Sequence, residues 1–424
     1  MQFTYGFLCE NVVLLYNKII MEEYSVGKYT IDDIKNTDKK YYMNTFGDRT
    51  PLCFTEGHGI ELTDVSGKVY KDFFAGIAVS ALGHSHPALT EALCDQASKL
   101  LHTSSVYYVE NQALLAKELC EISAFDKAFF ASTGAEANEG AIKLARKYFY
   151  EKNIDRYEII TLNKSFHGRT ITTATATGQE KYKAPYKPLT PGFVHVDIND
   201  EDALINAVNE HTAAIMVELI QGESGVNPLT QSYAKLVRKI CDDNGILMID
   251  DEVQTGIGRT GKMFAYENYG IEPDIVTLAK ALGGGIPISA ILAKEHVASS
   301  FKPGDHGTTF GGNPFSTRAA LTVLDVIKNE KLVENSFEVG NYFKDLMLEE
   351  IKDYISEIRS MGLMIGVQFK DAIDKKVNAS LLNHGYLVGV VGDSVLRIVP
   401  PLIITKEDAF EFTKTLKKIL EEEI

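Results

Sequence analysis

The sequence predicts an α/β fold in which a large, mainly parallel sheet is covered by helices and a smaller α+β domain is attached. Short β-branched runs alternate with amphipathic stretches from Ser85 to Ile291, an order typical of strands and helices in a parallel sheet. With 424 residues, the chain is longer than one hydrophobic core usually supports, so we expect two domains. Beyond Asn329 the pattern changes to Lys- and Glu-rich helical segments, which belong to the smaller domain.

Six apolar runs predict the strands of the large sheet. Asn244 and Gly245 close the amphipathic stretch 233–243, as expected for a helix that ends in a glycine cap before the chain returns to the sheet. Ligands of such sheets bind beyond the carboxyl ends of the strands, so functional residues are expected there. The predicted strands are residues 128–131, 159–162, 193–196, 214–218, 246–250 and 274–279.

The domain boundaries follow from these patterns. A hairpin over 62–72, with its turn at Ser66 and Gly67, is assigned to the small domain together with strands at 364–369 and 387–391. Residues 1–20, which precede an alternative start at Met21, are expected to contribute little. The predicted segments are an N-terminal extension at 1–40, a first small-domain segment at 41–84, the large domain at 85–320 and the C-terminal small domain at 321–424.

The composition is typical of a globular enzyme, with 45% hydrophobic and 24% charged residues. The net charge of −15 repels phosphate backbones and anionic lipid surfaces, so neither nucleic acid nor a membrane is expected as a partner. The first arginine is Arg49, which is unlike an arginine-rich transit peptide. The five scattered cysteines lack metal-binding spacing and suit a reducing cytoplasm, so no metal site is predicted.

Residues 132–139 follow a predicted strand and begin a helical pattern with small and polar residues. Free N–H groups at a helix start, together with the positive end of the helix dipole, bind anions such as phosphate. Gly134 would let a phosphate approach the main chain. Thr133 and Glu136 also form an ordinary capping box, which explains the same residues without a ligand.

Three adjacent acids, Asp250, Asp251 and Glu252, end a buried strand. Carboxylates at such a position can hold a divalent metal ion, can pair with a protonated ring nitrogen, or can face solvent in a loop. The next residues, Val253 and Gln254, add no charge for a metal ion, which favours the ring nitrogen.

Lys280 stands where the apolar run 275–279 gives way to a cluster of glycines. A lysine at a strand end can extend its ammonium group to solvent, or its amine can form an imine with a carbonyl group. The turn at Gly134 and the carboxylate of Asp251 favour the second interpretation. Phosphate turn, carboxylate and lysine are the three anchors of pyridoxal 5′-phosphate, and all three lie at predicted strand ends of one sheet.

Seven further motifs support this interpretation: Tyr-Tyr-Met-Asn-Thr-Phe from Tyr41, Phe-Ala-Gly-Ile-Ala-Val-Ser-Ala-Leu-Gly-His-Ser-His-Pro from Phe74, Phe-His-Gly-Arg-Thr from Phe166, Ala-Thr-Gly-Gln-Glu-Lys-Tyr from Ala176, Asp-Glu-Val-Gln-Thr-Gly from Asp251, His-Gly-Thr-Thr-Phe-Gly-Gly-Asn-Pro from His306 and Leu-Arg-Ile-Val-Pro-Pro-Leu from Leu396. With these motifs, the chain from about Tyr41 onward resembles the class III pyridoxal-phosphate aminotransferases of fold type I. Their order along the chain makes the resemblance specific.

The resemblance implies how the cofactor is anchored. Gly134 and Ala135 would bind its phosphate through their N–H groups, and Thr309 would reach the same phosphate from the second subunit of a homodimer. Asp251 would pair with the ring nitrogen. Lys280 would carry the cofactor as an imine and later move the proton of the substrate.

The resemblance also implies contacts to the ring of the cofactor. Phe166 would stack on one face and Val253 would pack on the other, while Gln254 would contact the ring hydroxyl oxygen. From the sequence alone, Phe166 could equally be an ordinary core aromatic residue.

Two arginines would recognise the carboxylates of the substrates. Arg169 would bind one carboxylate, and Arg397 would bind the other carboxylate of 2-oxoglutarate. Glu223 would neutralise Arg397 when an amino acid without a second carboxylate enters, although a permanent salt bridge explains the pair as well. Thr308 would touch the substrate. Ser224 departs from the family, which usually has a glycine at this position.

The reaction implied is transfer of an amino group from an amino donor to 2-oxoglutarate. The motif from Phe74 is more similar to relatives that act on N2-acetylornithine than to those that act on ornithine. Ornithine, succinylornithine and 4-aminobutyrate remain alternative donors, and glutamate semialdehyde aminomutation is an isomerase alternative. A protein that binds the cofactor without catalysis is the alternative outside enzymes.

Overall fold

The structure, a computed structural model, describes residues 29–392 and 394–424. Most of the predicted extension at 1–40, including residues 1–20, the start at Met21 and Cys9, lies outside the described residues. The described end of the extension is helical from Ile31 to Tyr41. This helix begins at Thr30, whose hydroxyl accepts a hydrogen bond from the N–H of Asp33 in a capping box.

Capping residues mark the helix ends that the sequence predicts. Thr133 caps the helix that starts at Gly134. Gly245, with a left-handed φ of 61°, ends the helix Gln231–Asn244. The helices are α1 (Ile31–Tyr41), α2 (Pro87–Lys99), α3 (Glu110–Glu121), α4 (Gly134–Glu151), α5 (Ile171–Ala176), α6 (Glu201–Ala207), α7 (Gln231–Asn244), α8 (Glu295–Ala298), α9 (Pro314–Asn329), α10 (Leu332–Ile351), α11 (Asp374–Asn383) and α12 (Lys406–Glu422).

The central sheet has seven strands in the order β4-β12-β11-β10-β7-β5-β6. Its strands are β4 (Lys127–Ala131), β5 (Glu158–Leu162), β6 (Phe193–Val196), β7 (Thr212–Val217), β10 (Leu247–Asp251), β11 (Ile275–Leu278) and β12 (Ser289–Ala293). Each of the six predicted strands is present, with ends shifted by up to two residues. The predicted α/β fold is thereby confirmed.

Strand β12 is the exception to the parallel arrangement, because it runs antiparallel to both β11 and β4. Strand β12 was not predicted from the sequence, because its short apolar run follows Pro287 and resembles a loop that returns to the core. The pairs β10–β11, β10–β7, β5–β7 and β5–β6 are parallel. The carboxyl ends of the six parallel strands therefore meet at one edge of the sheet.

Two four-stranded sheets lie beside the central one. The first joins β1 (Phe54–His58), β2 (Glu61–Asp64) and β3 (Val69–Asp72) to β15 (Tyr386–Leu387), and the predicted hairpin is β2–β3. The second contains β13 (Ile355–Met361), β14 (Met364–Phe369), β16 (Gly389–Val391) and β17 (Val395–Ile398).

The predicted strand at 387–391 is divided between these two sheets, because Val388 ends the pairing of β15 before β16 begins. Through the parallel pairing of β3 with β15, the N-terminal hairpin contacts C-terminal residues, as the assignment to one small domain requires. The domain boundaries themselves stay a prediction. A short two-stranded sheet, β8 (Ile220–Gln221) and β9 (Asn227–Pro228), completes the strands.

Residues Ala75–Ala78 form a left-handed turn with φ values of 48°, 61°, 69° and 62°. Left-handed backbone costs about 1–2 kcal/mol for each residue with a Cβ atom, so other contacts must stabilise the turn. Asp72 provides them, since its Oδ1 accepts hydrogen bonds from the N–H groups of Phe74 at 2.9 Å and Ala75 at 2.8 Å. Its Oδ2 lies 2.8 Å from His84 Nε2.

The hydrophobic core consists of side chains from both faces of the central sheet and from the helices that cover it. In the described part of the chain, no helix combines the length and the apolar character needed to cross a membrane.

Candidate active site

A cavity of about 520 Å³ opens at the carboxyl edge of the central sheet. The ends of β4, β5, β7, β10 and β11 contribute to it, as expected for a ligand site in a sheet of this kind. Nine of the residues predicted from the sequence line this one cavity: Gly134, Ala135, Phe166, Arg169, Glu223, Asp251, Val253, Gln254 and Lys280.

Lys280 follows β11 by two residues and has a φ of 34°, which is unusual for a residue other than glycine. Its side chain keeps some accessible surface because it faces the cavity, yet the surrounding protein removes most of its hydration. This burial lowers the pKa of the Lys280 amine to about 8, although the carboxylate of Glu223 acts in the opposite direction. About a tenth of the amine is thus neutral, and nucleophilic, at pH 7, far more than for an ordinary lysine.

Asp251, the last residue of β10, is held by two side chains that the sequence analysis did not single out. His167 Nδ1 and Asn138 Nδ2 each lie 2.7 Å from Asp251 Oδ2. The N–H of Val253 donates to Asp251 Oδ1 at 3.0 Å. Thr277 orients Asn138 by donating its hydroxyl to Asn138 Oδ1 at 2.7 Å. The carboxylate is therefore fixed in orientation at the wall of the cavity.

The N-terminus of α4 forms the part of the cavity that the sequence analysis assigned to phosphate. Glu136 Oε2 accepts hydrogen bonds from the N–H groups of Ser132 at 2.9 Å and Thr133 at 2.8 Å. In the described residues no acceptor is paired with the N–H groups of Gly134 and Ala135, which line the cavity. The capping box and an anion site are therefore compatible, since the box leaves these two donors free.

Phe166, Val253 and Gln254 surround the space between Lys280 and Asp251. Val253 packs so closely on the start of α4 that a Cβ atom on Gly134 would lie 2.7 Å from Val253 Cγ1. Gln254 donates its side-chain N–H to Glu223 Oε1 at 3.1 Å. The assigned contacts of these residues to a cofactor ring stay predictions.

Glu218 is a cavity residue that sequence reasoning missed. It ends the run that was predicted as the strand 214–218, where a carboxylate resembles an ordinary strand end. Its Oε2 accepts a hydrogen bond from the N–H of Phe166 at 2.8 Å, which holds the backbone of that aromatic residue. Burial raises the pKa of Glu218 well above its usual range, and repulsion from Asp251 raises it further.

Arg397 does not line the cavity, but it forms an ion pair of 2.6 Å with Glu223, which does. The side chain of Arg397 is only 3% exposed, and its Nη1 also donates to the carbonyl of Gly222 at 3.1 Å. Burial opposes ionisation of Glu223, but Arg397 and then Lys280 lower the pKa of Glu223 below its usual value. Ser224, where the family usually has glycine, bonds its hydroxyl to Gln221 Oε1 at 3.3 Å and fits the loop.

Arg169 lies at the cavity wall with its guanidinium group 4.1 Å from the ring centre of Tyr182. It has no carboxylate partner in the part of the chain that the structure describes, so its hydrogen-bond donors are available to a ligand. Thr308 and Thr309 do not line the cavity of this chain. Thr308 accepts a hydrogen bond from the N–H of Gly311 at 3.3 Å, whereas Thr309 is exposed.

The two acids beside Asp251 are buried and do not face solvent. Burial, and then the neighbouring Glu252, raises the pKa of Asp250, while burial raises the pKa of Glu252 to about 7. The pair therefore carries less charge than two free carboxylates. Among the described residues, no cluster of His, Cys, Asp or Glu side chains could hold a metal ion.

These residues fit pyridoxal phosphate. Two free N–H groups at a helix start suit a phosphate, an oriented carboxylate suits a protonated ring nitrogen, and an amine of lowered pKa suits imine formation. The arrangement can hold an anionic, planar heterocycle and can move a proton at Lys280 Nζ.

Comparison with known proteins gives a consistent result. Residues 42–420 match the family model described as Aminotransferase class-III. An acetylornithine aminotransferase from Caldanaerobacter subterraneus subsp. tengcongensis is 50% identical over 390 residues, which cover 91% of this chain and 98% of that protein. A protein of the same name from Methanocaldococcus jannaschii is 48% identical over 393 residues, covering 91% of this chain and 97% of that protein.

The fold is also similar to solved structures. The crystal structure of the ornithine aminotransferase from Toxoplasma gondii ME49 superposes with a TM-score of 0.90 and 35% sequence identity. The match covers 96% of this chain and 99% of that one.

Proposed function

We propose that this chain, which belongs to the class III aminotransferase family, moves the terminal amino group of N2-acetylornithine to 2-oxoglutarate. The products would be N-acetylglutamate 5-semialdehyde and glutamate, in a step of arginine biosynthesis. The identity of 50% to a relative named acetylornithine aminotransferase carries this choice of donor. The ion pair of Glu223 and Arg397 supports the choice of acceptor, because Arg397 would bind a second carboxylate if Glu223 moved away.

The cofactor of this class III aminotransferase is pyridoxal 5′-phosphate. When bound, it supplies a protonated ring that withdraws electrons and stabilises negative charge on the substrate carbon that carries the amino group. We assign its phosphate to the N–H groups of Gly134 and Ala135, its ring nitrogen to Asp251, and its ring faces to Phe166 and Val253.

Lys280 is the group that moves the proton. Its lowered pKa, about 8, makes the neutral amine available as a base near neutral pH. Lys280 Nζ would take the proton from the substrate carbon and return it on the cofactor side of the site. Asp251, oriented by His167 and Asn138, would hold the ring nitrogen of the cofactor.

Arg169 and Arg397 divide the work of substrate recognition. The unpaired guanidinium of Arg169 would bind a substrate carboxylate, since arginine binds carboxylates through two parallel hydrogen bonds. Glu223 would neutralise Arg397 while the amino donor is bound. It would release Arg397 to the second carboxylate of 2-oxoglutarate in the other half of the reaction. Thr308 is assigned a contact to the substrate.

We further propose a homodimer in which Thr309 completes the phosphate site of the other subunit. Thr309 is exposed, and so are its chain neighbour Phe310 and the apolar residues Val106, Tyr107 and Tyr108, whose segment approaches Phe310 through His102. Phe310 is 65% exposed and Tyr108 is fully exposed, which is unusual for aromatic residues unless a partner covers them. A second copy of this chain is the partner that would bring Thr309 to the cavity.

A cytoplasmic location remains a prediction. It is supported by the cysteines, because the four within the described residues are free thiols, which suit a reducing compartment.

Ornithine is the main alternative donor, because the fold is as close as TM-score 0.90 to an ornithine aminotransferase. Succinylornithine and 4-aminobutyrate are the others. A half-reaction screen separates them: the holoenzyme is mixed with each donor in turn, and loss of the visible absorption of the cofactor is followed by stopped flow.

N2-acetylornithine is expected to react with the highest kcat/KM, by about tenfold or more over ornithine. A faster reaction with ornithine or 4-aminobutyrate would refute the proposed donor but keep the enzyme class. Turnover that does not require 2-oxoglutarate would indicate an aminomutase, and no reaction with any donor would indicate a non-catalytic protein.

A further inference from the structure

Arg259 is the largest of the fully buried side chains, and it lies in the loop that leaves β10 after Asp251. No carboxylate pairs with it among the described residues. Burial lowers the pKa of its guanidinium to about 9, so the protein holds this cation in a place where hydration is lost. An apolar side chain of similar volume would fill the same space without that loss. The hydrogen bonds of Arg259 Nη1 are what such an apolar side chain could not make.

Those hydrogen bonds join the loop to the C-terminal sheet. Arg259 Nη1 donates to the carbonyls of Pro400 at 2.5 Å and Leu363 at 3.0 Å. The carbonyl of Arg259 accepts from the N–H of Leu363 at 3.0 Å and from the hydroxyl of Ser336 at 2.9 Å. Arg259 and Leu363 thus bind each other in both directions.

The bonded residues lie on the same side of Arg397. Leu363 immediately precedes β14, and Pro400 follows Arg397 by three residues, just beyond the end of β17. In the β14–β17 ladder, Arg397 is directly opposite Gly366. Arg259 therefore holds both strands that determine where the Arg397 guanidinium lies.

The approach of the loop to the C-terminal sheet is close. Gly362 has a φ of 54°, and a Cβ atom there would lie 2.5 Å from the main-chain N of Gly261. A Cβ atom on Gly340 would likewise lie 2.2 Å from the carbonyl oxygen of Gly362. Because main chain meets main chain, a change in the contacts of Arg259 would shift the sheet and not only a side chain.

We propose that Arg259 is a positioning residue for Arg397. Arg259 fixes the distance between Asp251, which precedes the loop that carries Arg259, and Arg397, which lies on β17. It thereby determines how strongly the enzyme prefers keto acids with a second carboxylate. This inference rests on the proposed function, in which Arg397 binds the second carboxylate of 2-oxoglutarate.

The test compares two keto acids of five carbons, 2-oxoglutarate and 4-oxopentanoate. Both have the distal carboxylate, but 4-oxopentanoate has a methyl group in place of the carboxylate next to the reacting carbonyl, the one that the donor lacks and that Arg397 would bind. Each reacts with the aminated holoenzyme, and kcat/KM is measured for wild type and for Arg259→Met. We expect the ratio of kcat/KM for 2-oxoglutarate over 4-oxopentanoate to fall by about tenfold, since a binding group displaced by ~1 Å can cost up to ~100-fold. Arg259→Lys should recover part of the ratio.

Arg146→Met is the matched control. Arg146 is also substantially buried, and it also donates to two main-chain carbonyls, Tyr157 at 2.9 Å and Pro191 at 2.8 Å. Neither partner belongs to β14 or β17, so this variant should keep the wild-type ratio.

An equal loss for both keto acids in Arg259→Met would show a purely structural role and overturn the inference. If Arg259→Met does not fold, Arg259→Lys must still lower the ratio, and a wild-type ratio in that variant would overturn the inference too. A wild-type enzyme without preference for 2-oxoglutarate would instead refute the proposed role of Arg397, so the two failures are distinguishable.

Discussion

Lys280 combines a left-handed backbone, with a φ of 34°, and an amine whose pKa is lowered to about 8 by burial. Strained backbone of this kind persists only where the surroundings hold it, and it is concentrated at functional sites. The groups that act electrostatically on its amine include Glu223, Arg397 and Glu218, which belong to different parts of the chain. The reactivity of Lys280 is thus a property of the assembled site.

Covalent capture of pyridoxal phosphate by the cofactor-free enzyme should follow the neutral fraction of the Lys280 amine. That fraction rises with pH up to the pKa, so the capture rate should rise about tenfold per pH unit below pH 8 and level off above it. Stopped-flow absorbance between about pH 6.5 and 10 measures the rate.

Lys280→Ala should bind the cofactor reversibly and lose transamination by roughly three orders of magnitude or more. Lys183→Ala is the control, because burial lowers the pKa of Lys183 as well, although Lys183 lies outside the cavity lining. A capture rate that keeps rising to pH 10 would contradict the lowered pKa of Lys280.

Functional residues in an unusual local sequence could be predicted, whereas functional residues in an ordinary local sequence could not. Lys280 and Asp251 follow apolar strands, where a charge needs an explanation. His167 was part of a motif but had no assigned role, and Glu218 resembled a strand end. Their importance arises from contacts across the sheet, such as the 2.7 Å from His167 to Asp251, which link residues 84 positions apart in the chain.

At the scale of elements, the start of α4 shows how a local signal and a tertiary contact combine. The capping box was readable from Thr133 and Glu136 alone. The need for glycine at position 134 is tertiary, because Val253 from the loop after β10 occupies the space where a Cβ atom would lie. The helix start and Val253 are thus packed as one unit.

Gly134→Ala should weaken cofactor binding, because the new Cβ atom, 2.7 Å from Val253 Cγ1, forces α4 or Val253 to move. We expect the dissociation constant of the cofactor to rise by about tenfold, and this loss to shrink in a Val253→Ala background, since contacting residues couple by ~0.5–3 kcal/mol. Equilibrium dialysis of the four variants gives the cycle.

Ala135→Gly is the control for helix propensity. Glycine at this neighbouring position lowers the stability of the helix but introduces no clash. Equal losses for Gly134→Ala with and without Val253 would contradict the packing explanation.

The left-handed turn at Ala75–Ala78 could not be predicted from the local sequence. Alanine and isoleucine favour right-handed helix or strand, and nothing in the run predicts four consecutive positive φ values. Asp72 and His84 stabilise the turn from outside it. The same applies to β12, whose antiparallel direction is set by its two neighbours in the sheet.

At the scale of the whole molecule, the chain with its net charge of −15 exposes an apolar surface that includes Tyr107, 68% exposed, and Phe310, 65% exposed. The ring of Phe310 lies 5.5 Å from that of His102, so the segment that carries Tyr107 approaches the one that carries Phe310. Thr309 immediately precedes Phe310 in the chain. The proposed homodimer would bury this surface and complete both active sites by twofold symmetry.

Subunit mixing tests whether Thr309 acts across the dimer. Thr309→Asp adds a negative charge at the phosphate, so this variant and Lys280→Ala should each be inactive alone. In a hybrid dimer, the subunit with intact Lys280 receives Thr309 from its partner. Mixing equal amounts under conditions of subunit exchange should restore up to about a quarter of wild-type activity.

The control mixes Lys280→Ala with Asp251→Asn, two changes on the same side of one site, and should restore nothing. Hybrid dimers that form, as judged by co-purification of differently tagged subunits, but remain inactive with Thr309→Asp would refute the shared site.

The α/β class, the strands and helix caps around the site, the turn at Gly134 and the unusual positions of Asp251 and Lys280 could be predicted from the sequence, because these depend on residue type and on periods of a few residues. Only the tertiary structure decided which distant groups meet. It joined His167 and Asn138 to Asp251, paired Glu223 with Arg397, and bound Arg259 to the strands around Arg397. The physical reason is that burial, pKa and close packing are set by neighbours in space, which no local pattern specifies.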